Sequence, residues 1–309
     1  MITEPTVLVL GAGASSDYGF PLGRKLRDLV CALPRTAAEE SIQQAGFAES
    51  EIRDFVETLQ YSGFGSVDWF LENRPEFLAV GKACIGAALI PFENPEKLFP
   101  PGAPENHWYE LLLNVLDEPL GSIGSSPVSI ITFNYDRSLE YYLFKAVATR
   151  VQSETRAREL LEALPIVHVH GQLGALLPLT GRGRDYIPFV RAEDIVLAMK
   201  EISIVAEASP ETLEFRRAKA LLESAKRVDF LGFSYHPESV KRLGIFNEPW
   251  TDIERNRIRV RGTSRKIPAH RWEYIRSTIL NGAIPSAHRR VNPVFSYLNE
   301  AEPLDETAL

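Results

Sequence analysis

Four polar turns, each following a short apolar run, hold the side chains of this sequence that could do chemistry. The first is Gly11-Ala12-Gly13-Ala14-Ser15-Ser16-Asp17-Tyr18-Gly19-Phe20-Pro21. Glycines directly after an apolar run permit a tight turn and let backbone amides approach a phosphate. An ordinary strand-to-helix turn reads the same way. As a dehydrogenase fingerprint the turn is incomplete: Ser16 stands at the third glycine position, and no second strand supplies a ribose-binding acid about twenty residues on.

The second turn is Thr132-Phe133-Asn134-Tyr135-Asp136. Asn134 and Asp136 fall where doubly wound sheets bind ligands, yet the same residues also serve as a turn residue and a helix cap. The third is Val167-His168-Val169-His170-Gly171. Alternation predicts both histidines on one face, with His170 nearest the turn. A structural pair, a metal-binding pair and a catalytic base compete here. No carboxylate or cysteine stands at ligand spacing, so no metal is expected; His170 is the better base, and His168 reads as packing or support. In the fourth turn, Gly232-Phe233-Ser234-Tyr235-His236-Pro237, Gly232 and Ser234 either approach a ligand or lead into a helix begun by Pro237. His236 reads as a surface turn residue.

The elements that must position these turns follow from hydrophobic patterning. Strands are predicted over residues 6–10, 128–133, 166–170, 228–232 and 257–261. The first four are largely apolar, as strands are when helices cover both faces of a parallel sheet. Between the first two lies an insertion of about a hundred residues, far more than the dozen or so a crossover requires. Helices are predicted there over 24–33, 39–59, 69–89 and 108–116, with Pro and Gly clustered over 91–104. Residues 178–190 read as a loop, and 192–226 as two helices parted by Ser209-Pro210. The predicted fold is α/β: a doubly wound, mostly parallel, Rossmann-like sheet with an inserted helical subdomain. Residues 1–34 and 120–290 form the core, 35–119 the insertion, and 291–309 an acidic tail.

Composition narrows the function classes. Of 309 residues, 45% are hydrophobic and 24% charged, which excludes disordered and fibrous classes. With 41 acidic against 34 basic residues the net charge is −7, so no direct nucleic-acid binding is expected. The most apolar stretch, 83–92, is about half the ~20 residues a membrane span needs, and the acidic N-terminus resembles no signal peptide. A cytoplasmic protein is expected. Two cysteines, Cys31 and Cys84, cannot form a four-thiolate zinc site.

In order and spacing, the four turns resemble the sirtuins. Gly11-Ala12-Gly13-Ala14-Ser15 with Gly19 and Pro21 is similar to their opening motif, and Thr132-Phe133-Asn134-Tyr135-Asp136 to Thr-x-Asn-x-Asp. His170-Gly171 matches His-Gly, and Gly232-Phe233-Ser234 matches Gly-x-Ser. The Phe-Asn-Tyr-Asp wording and the long insertion resemble the bacterial sirtuin-like NAD-hydrolase family of anti-phage defence proteins more than the protein deacylases, whose four-cysteine zinc module is missing. This resemblance implies cleavage of NAD+, as substrate, to nicotinamide and ADP-ribose. It implies Asn134 on water or ribose, His170 as base and Asp136 on the nicotinamide ribose or amide. Gly11, Ala12, Gly13, Ser15, Pro21, Gly232 and Ser234 would bind the rest of the dinucleotide. It further implies a homo-oligomer and a defence partner such as a HerA-like ATPase or a short Argonaute. Three alternatives remain: a non-hydrolysing NAD- or ADP-ribose-binding regulatory subunit, an NAD-dependent protein deacylase, and a metal-dependent hydrolase using both histidines.

Overall fold

The computed structural model describes residues 2–102, 107–204, 212–249, 251, 257–265, 267–285 and 293–300. Five strands, β1 (Thr6–Leu10), β2 (Val128–Thr132), β3 (Ile166–His168), β4 (Arg227–Leu231) and β5 (Arg259–Gly262), form one sheet in the order β3-β2-β1-β4-β5. Every pairing is parallel, with Leu8 opposite both Ile130 and Asp229. The fold is a doubly wound, Rossmann-like α/β sheet, parallel throughout.

Alternation along the strands divides the core in two. Leu8, Leu10 and Ile130 belong to one hydrophobic cluster, while Val7, Val9, Ile131, Val228, Phe230 and Val260 belong to another. The first cluster takes in the insertion through Ile52, Phe55, Phe70, Ile85 and Trp108. The second holds Phe215, Leu222, Val240 and Trp272, from the helices Leu213–Ser224, Pro237–Arg242 and Ala269–Tyr274. Each apolar strand therefore buries both faces, as a parallel interior strand must.

The insertion is helical, with more breaks than its patterning suggested. The predicted helix over 39–59 is two, Ala37–Gln44 and Glu49–Tyr61, parted by Gly46 at φ 111°. That over 69–89 divides at Pro75 into Val67–Asn73 and Leu78–Leu89, because proline lacks the amide an uninterrupted helix needs. Helices Gly23–Cys31 and Trp108–Leu116 lie close to their predicted spans. Pro75–Phe92 is by length and composition apolar enough to cross a membrane, but 61% of it is buried inside the protein. Residues 178–190 are not wholly loop: Leu177–Thr180 is a short helix, and Leu176 bridges Arg184. Helices Ala192–Glu201 and Leu213–Ser224 flank the predicted break, while Ser209-Pro210 and most of the predicted tail lie outside the described residues.

Strand β3 ends at His168, two residues earlier than predicted. The Gly171 amide donates to the His168 carbonyl at 3.2 Å, and Gly171 takes φ 69°, so the chain leaves the sheet. The two histidines consequently part. His168 meets Glu140, whereas His170 packs against Phe133 and Phe215 of the second cluster. The expected shared face does not occur, because alternation holds only while the strand lasts.

Candidate functional site

The order of strands reverses between β1 and β4, and at such a switch point the loops leaving the carboxyl ends of the strands part to form a crevice. A cleft of about 660 Å³ lies there. Gly11, Ala12 and Gly13 after β1, Asn134 after β2, His170 after β3, and Gly232 and Ser234 after β4 all line it. Four segments, the first two more than a hundred residues apart, thus converge as their positions at strand ends predicted. Ser15, Pro21 and Asp136 are not among the lining residues.

The glycine turn does more packing than the sequence suggested. The Gly11 amide donates to Leu231 O at 3.0 Å, Gly13 to Gly232 O at 2.9 Å and Ala14 to Gly11 O at 2.9 Å. Those amides are spent within the protein. A Cβ on Gly11 or Gly13 would come within 2.7 Å of the Gly232 carbonyl, and one on Gly232 within 2.1 Å of the Ala14 nitrogen. These glycines are required because two loops touch at the switch point. The helix that follows, Ala12–Ser15, is a single turn.

Asn134 is held from three sides. Its Nδ2 donates to Gly11 O at 3.0 Å and Ser15 Oγ at 3.1 Å, and its own amide donates to Thr132 Oγ1 at 3.1 Å. Its carbonyl accepts from His168 Nδ1 at 3.0 Å. With both Nδ2 hydrogens engaged, the group Asn134 can offer a ligand is Oδ1, as an acceptor. Behind it, Ser15 reaches Asp136, whose Oδ1 accepts the Ser138 amide at 3.2 Å and the Ser138 hydroxyl. Tyr109 closes this buried chain on Ser138 at 2.7 Å, and Trp108 Nε1 donates to Ala14 O at 2.8 Å. Asp136 therefore supports the start of helix Ser138–Val151 and does not face the cleft; burial raises its carboxyl pKa. Asp136, expected at the nicotinamide end, thus lies behind the residues that line the cleft.

His170 is only 5% exposed, and its Nδ1 is buried without a hydrogen-bond partner. Burial, with a smaller push from the Arg242 charge, lowers its pKa to about 4, so the ring is neutral near pH 7. Its backbone is pinned: Ser203 N donates to His170 O at 2.8 Å, and a Cβ on Gly171 would strike Glu201 O at 1.7 Å. His168 is the opposite case. Burial would lower its pKa, but the charge and hydrogen bond of Glu140 and the Asn134 carbonyl outweigh this, and the net shift is upward. Both ring nitrogens face acceptors, as an imidazolium requires.

Several lining residues escaped the sequence reading. Ser66, Asp68, Trp69 and Glu72 come from the insertion, and Thr263 and Arg265 follow β5. His236, read as a surface turn residue, is exposed and borders the cleft. Asp17 is exposed at the cleft, its carboxyl raised by partial desolvation and lowered in turn by the charge of Arg265, with a net shift upward. A signal existed for the first group: Ser66-Val67-Asp68 is a serine cap followed by an acid in the first helical turn. Among the described residues no group of three or more His, Cys, Asp or Glu side chains is arranged to hold a metal ion.

No protein-family model matches the chain, and no curated protein matches it.

Proposed function

We propose that the switch-point cleft binds NAD+ and hydrolyses it to nicotinamide and ADP-ribose. The observation that carries this reading is the meeting of Asn134 and His170, from two different strand ends, in one cleft floored by the Gly11–Gly13–Gly232 contact. In the reaction the bond between ribose C1′ and the pyridinium nitrogen breaks. Its electron pair stays with the ring, which leaves as neutral nicotinamide, so the departure needs no general acid. Water bonds to C1′ and yields one proton. Such chemistry needs an oriented ribose, a shielded cation-like transition state and a placed water.

The residues fit those needs as follows. Asn134 Oδ1 accepts an O–H of the water or of a ribose hydroxyl. His170, neutral and low in the cleft, is the acceptor for the proton that water releases. With three turn amides already engaged, negative charge on the pyrophosphate is met at the rim by Arg24 and Arg265. The similarity of motifs to sirtuin-like defence proteins supports a role in depleting NAD+ during phage infection, within an assembly that controls the activity.

The test is incubation of the purified protein with NAD+, alone and with the products of neighbouring genes, followed by chromatography. Nicotinamide and ADP-ribose in equal amounts support the proposal. Binding without turnover in every assembly state would instead identify a regulatory subunit. Release of acyl groups from acylated peptides would identify a deacylase.

A further inference from the structure

The inserted helical layer places a carboxylate in the same cleft as Asn134 and His170. Asp68 lies in the first turn of helix Val67–Asn73, opened by Ser66, whose Oγ accepts the Trp69 amide at 3.2 Å. The Tyr135 hydroxyl donates to Asp68 Oδ1, and Tyr135 directly follows Asn134 in the chain. Tyr135 thus ties an acid of the insertion to the turn that carries Asn134, while Asp136 is turned to the interior. Both Asp68 and Trp69 line the cleft.

The partners of this carboxylate are telling. Among the described residues Asp68 makes no salt bridge; its bonded neighbour is a neutral phenol. Glu72, one helical turn on, is by contrast paired with Arg242 at 3.6 Å. Burial pushes the Asp68 carboxyl up despite the Tyr135 bond. Asp68 is partly buried, and an acid so placed without a cation is half of an ion pair: a positively charged ligand would complete it, and a neutral one would leave it unmatched.

We propose that Asp68 selects the oxidised dinucleotide over the reduced one by pairing with the positive pyridinium ring that NADH lacks. This rests on the dinucleotide reading above. Trp69, half exposed at the same lip, offers an aromatic face on which either ring can stack, with a smaller added attraction for the cation that Asp68→Asn would leave in place. Charge alone separates them, and selectivity is the difference between the two affinities.

Calorimetry measures both affinities without turnover if the oxidised ligand is the carbocyclic analogue of NAD+, whose methylene in place of the ribose oxygen blocks cleavage. The wild-type protein should bind this analogue about tenfold or more tighter than NADH, the scale of one partly screened charge pair. Asp68→Asn, equal in shape, should bring the two affinities within about threefold while leaving that for NADH nearly unchanged. Glu72→Gln and Tyr135→Phe keep the Asp68 charge and should keep the preference. If Asp68→Asn does not fold, Asp68→Glu decides, because it retains the charge and must retain the preference. A wild-type protein that binds both nucleotides equally overturns the proposal, as does a folded Asp68→Asn that keeps the full preference for the cation. If neither nucleotide binds in any assembly state, the dinucleotide reading itself falls.

Discussion

His170 and His168 are two residues apart, and their environments push their pKa values in opposite directions. For His170 the folded value of about 4 lies below the ordinary imidazole value of 6.5. Between those pH values the unfolded chain binds a proton that the folded chain refuses, so stability falls as pH drops from about 6.5 to about 4. Two to three pKa units correspond to about 3 kcal/mol. His170→Gln should therefore flatten the acid limb of stability, as denaturant titrations at pH 7 and pH 4.5 would record; an unchanged acid limb would mean the ring is not buried neutral. His168 works the other way: its pKa is raised, so the stability it adds is full below the ordinary imidazole value and is lost as pH rises through the folded value. Chemistry separates them too. Asn134→Ala and His170→Ala should each lower NAD+ turnover by roughly 10²–10⁴-fold, with non-additive effects if they act on one water and ribose. His168→Ala should lower stability more than turnover. Some loss of turnover is also expected, since His168 holds the Asn134 carbonyl. Full turnover in a folded His170→Ala protein would remove the proposed base.

At the scale of elements, the switch point is made by loops in contact rather than by a helix end. Gly232 takes φ 59°, and a side chain there would meet the Ala14 nitrogen at 2.1 Å. Gly232→Ala should thus force the β1 and β4 loops apart, destabilising the fold by about 2 kcal/mol or more and abolishing the thermal protection expected from NAD+ or ADP-ribose. A thermal-shift series with and without ligand would check both effects, and unchanged protection would show that the contact does not shape the site. Strands such as β1 and β4 were legible because an interior parallel strand is apolar on both faces. The end of β3 was not legible, since it depends on Gly171 pressing against Glu201, thirty residues away. That Asn134 and His170 line the cleft was legible because the carboxyl end of a strand has a sequence address. For Asp68 the helix start was legible but its place in the cleft was not, since that depends on the packing of a helix distant in sequence and on the Tyr135 bond. Asp136 reads alike as a ligand or a cap until the chain is folded, and the folded chain uses it as support.

Across the whole molecule, the insertion and the sheet share more than a hydrophobic face. Glu93, from the insertion, is fully buried and receives Arg137 Nε at 2.9 Å and Nη2 at 2.7 Å, together with Arg184 Nη1. Arg137 follows the Asn134 turn, and its remaining donors reach the carbonyls of Gly174 and Ala175 at 3.0 Å each and of Asp185 at 3.0 Å. Arg184 also faces Asp194 at 3.4 Å. One buried cluster therefore ties the insertion, the segment after β2 and the loop after β3, all of which border or support the cleft. Removing Arg137 leaves buried Glu93 with Arg184 as counter-charge but without two of its hydrogen bonds, and leaves the carbonyls of Gly174, Ala175 and Asp185 without that donor, so Arg137→Met should cost about 3 kcal/mol. Adding Glu93→Leu to that variant should cost less than the sum of the two single changes, because the two side chains share hydrogen bonds that each single change already breaks. The same linkage predicts that insertion and sheet unfold together. Trp108 reports the first core cluster and Trp272 the second, so tryptophan fluorescence and circular dichroism should trace one coincident transition. Separate transitions, or a loss below ~1 kcal/mol in Arg137→Met, would mean that the cluster is no stronger than a surface pair and that the insertion is an independent unit. A single transition together with a large loss would mean that Asp68 is held in the cleft by the stability of the entire chain.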